Sequence, residues 1–324
     1  MKIVFTICSN NYLAQAFTLG DSLAQSNPDY QFFIGLCDRL SDQVDYPAVS
    51  KYPIVDVAQL EMEALDDMAS RYNIIELNTA VKPFYFQYFF AKYEQASQVL
   101  YIDPDIFVYE KMDLVDEAFA KSSFQLTPHI LTPIPLDGLH PGENFFLKYG
   151  IYNLGFLGLK RSAEVHEFLE WWADRLKRFC YKEVKNGYFV DQKWIDLVPI
   201  FWNDVKIWNH PGMNMAYWNF HERRIDKIGD RYLVNSKHDL IFFHFSSLKA
   251  DSPSIERSQQ RVTFEQAPDL KQLYLDYCAL VMNNHYLKLR SIACSYGLPL
   301  RKPPLTLKRR IVNYLSNLSF LVIK

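Results

Sequence analysis

The sequence predicts an α/β protein with a mostly parallel central sheet. Short apolar segments alternate with segments of helical spacing through the first third of the chain, which is the pattern of strand, helix and strand units. The segment "QVLYI" at residues 98–102 is nearly continuous in apolar and aromatic residues, as in a parallel strand covered on both faces. The 324 residues are 49% hydrophobic, which is enough material for one large core or two fused ones.

The first elements follow one another as strand, helix and strand. "KIVFTIC" is predicted as a strand, "YLAQAFTLGDSLAQ" as a helix, and "YQFFIGLCD" as a second strand that ends in Asp38. "IVDVAQL" and "EMEALDDMASRY" continue the alternation. "NTAVKPFYFQYFFAKY" is predicted as a helix that begins near Pro83, because proline is tolerated in a first helical turn. "QVLYID" then supplies a central strand.

The pattern becomes looser after about residue 122. "QLTPHILTPIPLDGLHPGEN" is rich in proline and has no period, so we predict a long ordered loop. A strand follows in "GIYNLGFLGLK", a helix in "SAEVHEFLEWWADRLKRFC" and a late strand in "LIFFHFSS". Beyond about residue 265, "APDLKQLYLDYCALVMNNHYLKLR" predicts an appended helical unit.

Composition excludes several classes of protein. A formal net charge of -2 provides no basic field, so we expect no nucleic-acid partner. The N-terminal apolar run is too short for a signal peptide, and no run reaches the roughly 18 apolar residues that a spanning helix needs. The cysteines are scattered without a CxxC pair, which favours reduced thiols in a cytoplasm over a disulfide framework or a zinc site; they are Cys8, Cys37, Cys180, Cys278 and Cys294.

Two carboxylates stand where the central strand ends, in "VLYIDPDIFVYE". Pro104 biases Asp103 toward extended backbone, and side chains two residues apart in an extended segment point to one side. Asp103 and Asp105 therefore converge at the carboxyl end of a parallel strand, where α/β sheets bind ligands. Paired acids suit Mg²⁺ or Mn²⁺, which commonly bridge to a diphosphate. A solvated turn is the alternative, because this tripeptide is also common in turns.

Two other metal-dependent chemistries fit these acids poorly. A haloacid-dehalogenase-type phosphatase needs an Asp-x-Asp-x-Thr or Val loop after its first strand, whereas the fifth position here is Phe107 and the strand comes late. A nucleotidyltransferase needs a glycine-rich phosphate loop after the first strand, and "TICSNNYLAQAF" contains no glycine.

Five segments resemble, in their order and spacing, successive motifs of GT-A fold glycosyltransferases, nearest to glycosyltransferase family 8 and its bacterial relatives. The resemblance spans roughly residues 1–250, and its segments are "VFTICSNNYLAQAFTLGDSL", "VLYIDPDIFVYEKMDLV", "YNLGFLGLKR", "FVDQKWIDLVP" and "FFHFSS". It implies a GT-A catalytic domain at residues 1–264, with a nucleotide-binding half at 1–121 and an acceptor and sugar half at 122–264. Residues 265–324 would form a helical extension.

The resemblance also assigns residues to the donor nucleotide and its metal. Asp103 and Asp105 match the metal motif, and His244 matches a late metal-ligand histidine; without the resemblance, a histidine between Phe243 and Phe245 would be read as a core residue. Lys82 stands where the family has a basic residue, often Arg, that faces the donor phosphates or sugar. Lys249 is the corresponding basic residue of the late loop. The first strand and its loop would hold the base and ribose through Thr6, Ser9, Asn10 and Tyr12.

Further matches concern the transferred sugar and the acceptor. Asn153 and Gly155 match a strand whose Asn reaches the sugar and whose Gly permits close backbone approach. Asp191 and Gln192 match an acidic motif beside the donor sugar hydroxyls, where carboxylates orient hydroxyls or stabilise developing positive charge. "WNHPGMNMAYWNFHERR" is assigned to the acceptor pocket, with core packing as an equal alternative for Trp208 and Trp218.

The expected function is that of a glycosyltransferase of the hexosyltransferase class that retains anomeric configuration and uses Mn²⁺ or Mg²⁺. It would move a sugar from a UDP-sugar or similar donor to a glycan or lipid-linked acceptor in bacterial surface polysaccharide synthesis. The tail "LRKPPLTLKRRIVNYLSNLSFLVIK" is basic and amphipathic, which suits peripheral contact with the inner face of the cell membrane. A solvated capping helix or a dimer contact is the alternative for the tail. A noncatalytic glycan- or nucleotide-sugar-binding protein that kept the fold is the alternative function.

Overall fold

A seven-stranded sheet organises the computed structural model, which describes residues 1–297. The strands are β1 (Lys2–Cys8), β2 (Tyr30–Leu36), β3 (Ile54–Asp56), β4 (Gln98–Ile102), β5 (Ile106–Val108), β6 (Phe124–Pro128), β7 (Tyr152–Lys160), β8 (Val205–Ile207), β9 (Ile225–Ile228), β10 (Arg231–Val234), β11 (His238–Asp239) and β12 (Phe242–His244). The central sheet has the order β3-β2-β1-β4-β7-β6-β8. Strands β9, β10 and β11 form a small antiparallel sheet.

The direction of the strands confirms the predicted class. Neighbours in the central sheet are parallel except where β7 is involved, because β7 runs antiparallel to both β4 and β6. All five residues of β4 are buried, as its apolar sequence predicts. The protein is therefore an α/β protein with a mostly parallel central sheet.

Helices cover both faces of the sheet. Within residues 1–297 they are α1 (Leu13–Ser26), α2 (Tyr46–Val49), α3 (Leu65–Arg71), α4 (Ile74–Ala80), α5 (Lys82–Lys92), α6 (Asp113–Ala118), α7 (Glu143–Tyr149), α8 (Ala163–Phe179), α9 (Gln192–Ile195), α10 (Val198–Phe201), α11 (Pro268–Asn283) and α12 (Tyr286–Leu289). None of these helices combines the length and apolar character needed to cross a membrane. The basic tail beyond residue 300 lies outside the described residues.

The alternating side chains of β4 divide the interior into two apolar cores. Leu100 and Ile102 pack on the side of α1 and α11, whereas Val99 and Tyr101 pack on the side of α5 and α8. Helix α11 contributes residues such as Leu273 to the first of these cores, beside α1. The predicted division at residue 264 stays a prediction.

Helix boundaries follow local signals in the sequence. Helix α4 begins after Asn73, whose side chain accepts the Glu76 backbone N–H while the Glu76 carboxylate accepts the Asn73 N–H. Helix α5 begins at Lys82 with Pro83 in its first turn, as predicted, although residues 78–80 belong to the separate helix α4. Helix α8 begins after Ser162, whose hydroxyl accepts the Val165 N–H.

The structure corrects the start of the loop predicted for residues 125–144. Phe124 to Pro128 form β6, which lies between β7 and β8 in the sheet. Its polar residue Gln125 is fully buried and donates to the Val115 carbonyl, 2.8 Å away. The strand is only five residues long and is buried on both faces, so it shows no alternation of polar and apolar residues that would predict it. Pairing with strands distant in sequence, rather than a local pattern, defines this element.

Candidate functional site

Asp103 and Asp105 lie in a tight turn directly after β4. The Asp103 N–H donates to the Gly155 carbonyl of β7 at 2.8 Å, and the Ile106 N–H donates to the Asp103 carbonyl at 3.1 Å. The first bond fixes the turn against the neighbouring strand. The two carboxylates are thereby held at the carboxyl end of the parallel strands, as the sequence predicts.

His244 is brought to these acids by a two-stranded sheet. Strand β12 pairs with β5 so that His244 lies opposite Ile106, and the Phe245 N–H donates to the Asp105 carbonyl at 2.8 Å. The His244 Nε2 lies 3.1 Å from Asp105 Oδ1 and 3.6 Å from Asp103 Oδ2. Thus a residue 139 positions beyond Asp105 in the sequence completes the cluster.

The three side chains fit a divalent metal ion. One ligand atom from each of Asp103, Asp105 and His244 lies within 4.8 Å of the others, and theirs is the one such cluster found within residues 1–297. Two carboxylates and an imidazole are a donor set that Mn²⁺ accepts, while Mg²⁺ would rely on the oxygens. The residues present can therefore hold the metal that the resemblance implies.

The electrostatics of the cluster also favour a cation. Burial raises the pKa of Asp103, and the nearby Asp105 carboxylate raises it further, while Lys82 and His244 act in the opposite sense. Burial alone would lower the pKa of His244, but the carboxylates of Asp105 and Asp103 outweigh burial and raise it. Two acids this close require positive charge between them, which a proton on His244 or a metal ion supplies.

A cleft of about 490 Å³ opens beside the acids. Of the residues predicted to bind the donor, Ser9, Tyr12 and Asp103 line it, together with Asp105. The opposite wall comes from helix α4, which the sequence did not indicate as part of a site; it contributes Ile74, Ile75, Asn78 and Thr79. The cleft thus lies between the end of β1, the end of β4 and one helix.

Five of the predicted donor-binding residues do not line this cleft: Thr6, Asn10, Lys82, Gly155 and Lys249. Thr6 is fully buried within β1, and Lys249 is exposed. Asn10 is buried, and its side chain donates to the Arg39 carbonyl at 2.9 Å and accepts the Tyr46 hydroxyl at 2.6 Å. The structure therefore places Asn10 as a link between the end of β1 and the segment after β2.

Lys82 differs most from expectation, because it forms a buried ion pair. Its Nζ lies 2.5 Å from Asp191 Oδ2, and both side chains are only 2% exposed. The ammonium also donates to the Leu154 carbonyl at 3.0 Å and lies 3.9 Å from the centre of the Tyr101 ring. Burial raises the pKa of Asp191, and Lys82 opposes that rise. Lys82 thus faces Asp191 rather than the donor cleft.

A second cleft of about 330 Å³ adjoins the first at Ser246. Asn153 and Gln192 line it, as does Trp218, whereas Trp208 is buried with its Nε1–H donated to Gln125 Oε1 at 3.0 Å. Trp208 is therefore a core residue and Trp218 a cleft residue. The remaining rings of the cleft come from Phe145, Tyr149, Phe189 and Tyr217. Ser246 lines both clefts, so they adjoin directly after His244.

Gln192 and Gly155 shape the boundary between the cluster and the second cleft. Gln192 donates to the Tyr149 carbonyl at 2.9 Å and accepts the Leu154 N–H at 3.2 Å, which anchors α9 against β7. A Cβ atom at Gly155 would lie 2.7 Å from both Asn153 Oδ1 and His244 Cε1. The absence of a side chain at Gly155 therefore lets the His244 ring pack against β7.

One buried residue of this region, His129, was not predicted from the sequence. It follows β6 directly and lines the second cleft, with its Nδ1 3.0 Å from the Ile151 carbonyl. Burial lowers the pKa of His129 to about 4, so the ring is neutral near physiological pH. Only recognition of β6 as a strand could have drawn attention to a histidine at its end.

Comparison with known sequences identifies two bacterial relatives. No family model matches the chain. The uncharacterized protein YfnF of Bacillus subtilis strain 168 is 27% identical over 270 residues, which cover 83% of this chain and 89% of YfnF. The uncharacterized protein YfnD of the same strain is 21% identical over 279 residues, covering 84% and 86% of the two chains.

Comparison with solved structures finds weak similarities to glycosyltransferases. The galactosyltransferase LgtC, in complex with donor and acceptor sugar analogues, aligns with a TM-score of 0.48 and 15% identity over 90% of this chain and 98% of LgtC. GlyE of Streptococcus pneumoniae TIGR4 aligns with a TM-score of 0.45 and 14% identity over 93% of this chain and 65% of GlyE. The activity of the present chain is therefore inferred from its own site.

Proposed function

We propose that this protein is a metal-dependent glycosyltransferase that moves a sugar from a nucleotide-sugar to a glycan or lipid-linked acceptor. The observation that carries the proposal is the cluster of Asp103, Asp105 and His244 between two adjoining clefts. A divalent ion bound there would offset the charge of a diphosphate leaving group.

The two clefts differ in ways that suit a donor and an acceptor. The larger cleft adjoins the acids and is bounded by the end of β1, so we assign the nucleotide to it. The smaller cleft is lined mainly by rings and amides, and aromatic faces pack against the apolar C–H surfaces of sugars. We assign the acceptor to this second cleft, with the transferred sugar near Ser246.

The residues where the two clefts meet are assigned separate roles. Gln192 and Asn153 line the acceptor cleft, so we place the transferred sugar beside them. Asp191 directly precedes Gln192, is buried and pairs with Lys82, so we assign it to the sugar side of the site rather than to the diphosphate. Such a buried carboxylate can stabilise positive charge that develops at the anomeric carbon.

The finer parts of the proposal extend from the sequence resemblance. They are a GT-A fold, a UDP-sugar donor, Mn²⁺ or Mg²⁺ as the metal, retention of anomeric configuration, a role in bacterial surface polysaccharide synthesis, and a cytoplasmic position at the inner face of the cell membrane. A GT-A catalytic domain at residues 1–264, followed by the extension at 265–324, belongs to the same proposal.

Metal removal and one ligand substitution test the proposal. Hydrolysis of a panel of nucleotide-sugars should fall with EDTA and recover with Mn²⁺ or Mg²⁺. Asp105→Ala should abolish the recovery, because the site loses one of its two charged ligands, whereas Asp42→Ala, which removes an exposed loop carboxylate, should behave as the wild type. Full hydrolysis by folded Asp105→Ala in EDTA would refute metal dependence. Calorimetric binding of a nucleotide diphosphate without turnover of any donor would favour a noncatalytic binding protein.

A further inference from the structure

We propose that His129 and Asn153 are positioning residues that hold the His244 imidazole in the one tautomer able to bind a metal ion. The inference rests on the metal site of the proposed function and assigns this role to a histidine of the acceptor cleft. Two hydrogen bonds join His129 to Asn153 and Asn153 to His244, and His244 Nε2 in turn lies 3.1 Å from Asp105 Oδ1, so the row reaches from the acceptor cleft to the acids. Each bond in the row has a determined direction.

The orientation of the Asn153 amide determines which atoms donate and which accept in these hydrogen bonds. Its Oδ1 accepts the backbone N–H of Gly155 at 3.1 Å, which identifies this atom as the amide oxygen. The His244 Nδ1 lies 3.2 Å from the same oxygen, and an amide oxygen can only accept. Once a metal ion replaces the proton between His244 and Asp105, the remaining proton of His244 therefore lies on Nδ1, and the lone pair lies on Nε2, which is 3.1 Å from Asp105 Oδ1.

The other end of the amide points to His129. The Asn153 Nδ2 lies 3.4 Å from His129 Nε2, and an amide nitrogen can only donate. His129 must therefore accept through Nε2 and carry its proton on Nδ1, where the Ile151 carbonyl lies 3.0 Å away. The lowered pKa of His129 agrees with a neutral ring. A neutral His129 also prevents the Asn153 amide from turning over, because the amide oxygen would then face a lone pair.

Packing holds both rings in place. The Trp218 ring meets His129 and His244 nearly edge to face, with ring centres 5.3 Å and 5.1 Å apart. The His244 Cε1 atom lies only 2.7 Å from where a Cβ of residue 155 would stand, so the ring packs directly against the backbone of β7. The row of hydrogen bonds can thus select a tautomer without reorientation of either ring.

The consequence is a stronger metal ligand. A histidine that donates its second N–H to a fixed acceptor keeps one tautomer and becomes more basic at the coordinating nitrogen. Without Asn153, the proton of His244 can lie on Nε2 in a share of the molecules, and these cannot bind metal through the ring. Loss of such a partner typically weakens metal affinity by about 10-fold to 100-fold.

Metal binding by the full chain, without donor or acceptor, tests the inference. Mn²⁺ is titrated into metal-free protein, and the unbound ion is measured by electron paramagnetic resonance. Asn153→Leu should weaken Mn²⁺ binding by roughly 10-fold or more, and His129→Phe by a smaller factor, because it removes only the distal partner. His210→Phe is the matched control: it removes another partly buried histidine, which accepts the Gly212 N–H at 3.2 Å and lines neither cleft. Its affinity should equal that of the wild type.

Nitrogen-15 spectra of the imidazoles give a second readout that needs no variant. With diamagnetic Zn²⁺ bound in place of Mn²⁺, wild-type protein should show both His129 and His244 protonated on Nδ1. Protonation of His244 on Nε2 would overturn the inference even if Asn153→Leu failed to fold. Wild-type Mn²⁺ affinity in folded Asn153→Leu would overturn it as well. A wild type that binds Mn²⁺ as described but transfers no sugar would refute the proposed activity and leave this inference standing.

Discussion

The buried pair of Lys82 and Asp191 supports the most demanding prediction. Lys82→Met keeps most of the apolar stem of the side chain and removes the ammonium, which leaves the Asp191 carboxylate without its partner at 2% exposure. Removing one member of a buried pair typically costs about 3–5 kcal/mol, because an uncompensated charge remains in the interior. The total stability of a domain is only about 5–15 kcal/mol, so a large share of the free energy of unfolding should be lost.

The sign of the pH dependence follows from the same pair. The pKa of Asp191 is raised by burial and restrained by Lys82, so without Lys82 it rises further above the value of the unfolded chain. A carboxyl whose pKa is higher in the folded state stabilises the fold only while it is protonated, and this stability is lost as pH rises. The cost of Lys82→Met should therefore be larger at about pH 8 than at about pH 5.

Urea unfolding of four proteins measures the effect: wild type, Lys82→Met, Asp191→Asn and the double variant. The double variant should be more stable than Lys82→Met alone, because it buries no charge at this position. Lys51→Met is the control: it removes a surface partner of Asp21 with 72% of its own side chain exposed, and should cost less than about 1 kcal/mol. A cost of Lys82→Met similar to the control, without pH dependence, would refute the reasoning.

Three further predictions concern the neighbouring residues. The pKa of His129 falls from about 6.5 in the unfolded chain to about 4 in the folded protein, so the unfolded state binds more protons between these pH values. The contribution of His129 to the free energy of unfolding should therefore drop by about 2 kcal/mol from about pH 7 to about pH 5. Urea unfolding at the two pH values measures this drop, which should be absent in His129→Phe. Gly155→Ala should weaken Mn²⁺ binding by about 10-fold or more by displacing His244, and unchanged affinity in resonance titrations would contradict the close packing. Asp191→Asn should lower donor turnover far more than calorimetric affinity for UDP, because Asp191 does not line the donor cleft.

Local patterns in the sequence were sufficient for much of the fold and for the centre of the site. Strands β1, β2 and β4 and helices α1 and α8 each have a clear hydrophobic period or a continuous apolar run, and the structure has them where predicted. Asp103 and Asp105 could be placed at the end of β4 because both the strand and the turn are encoded in consecutive residues. His244 was found through the resemblance, since its apolar neighbours alone favour a core residue.

The tertiary structure alone decided the contacts between distant parts of the chain. The reversed direction of β7, the strand β6 and the pairing of Lys82 with Asp191 depend on which segments meet, and no local pattern records this. Asn153 is separated by 24 residues from His129 and by 91 from His244, yet hydrogen bonds join all three. The periodicity of a sequence reflects the burial of single residues, whereas the partner of a buried polar group is determined only when the sheet brings separate strand ends together.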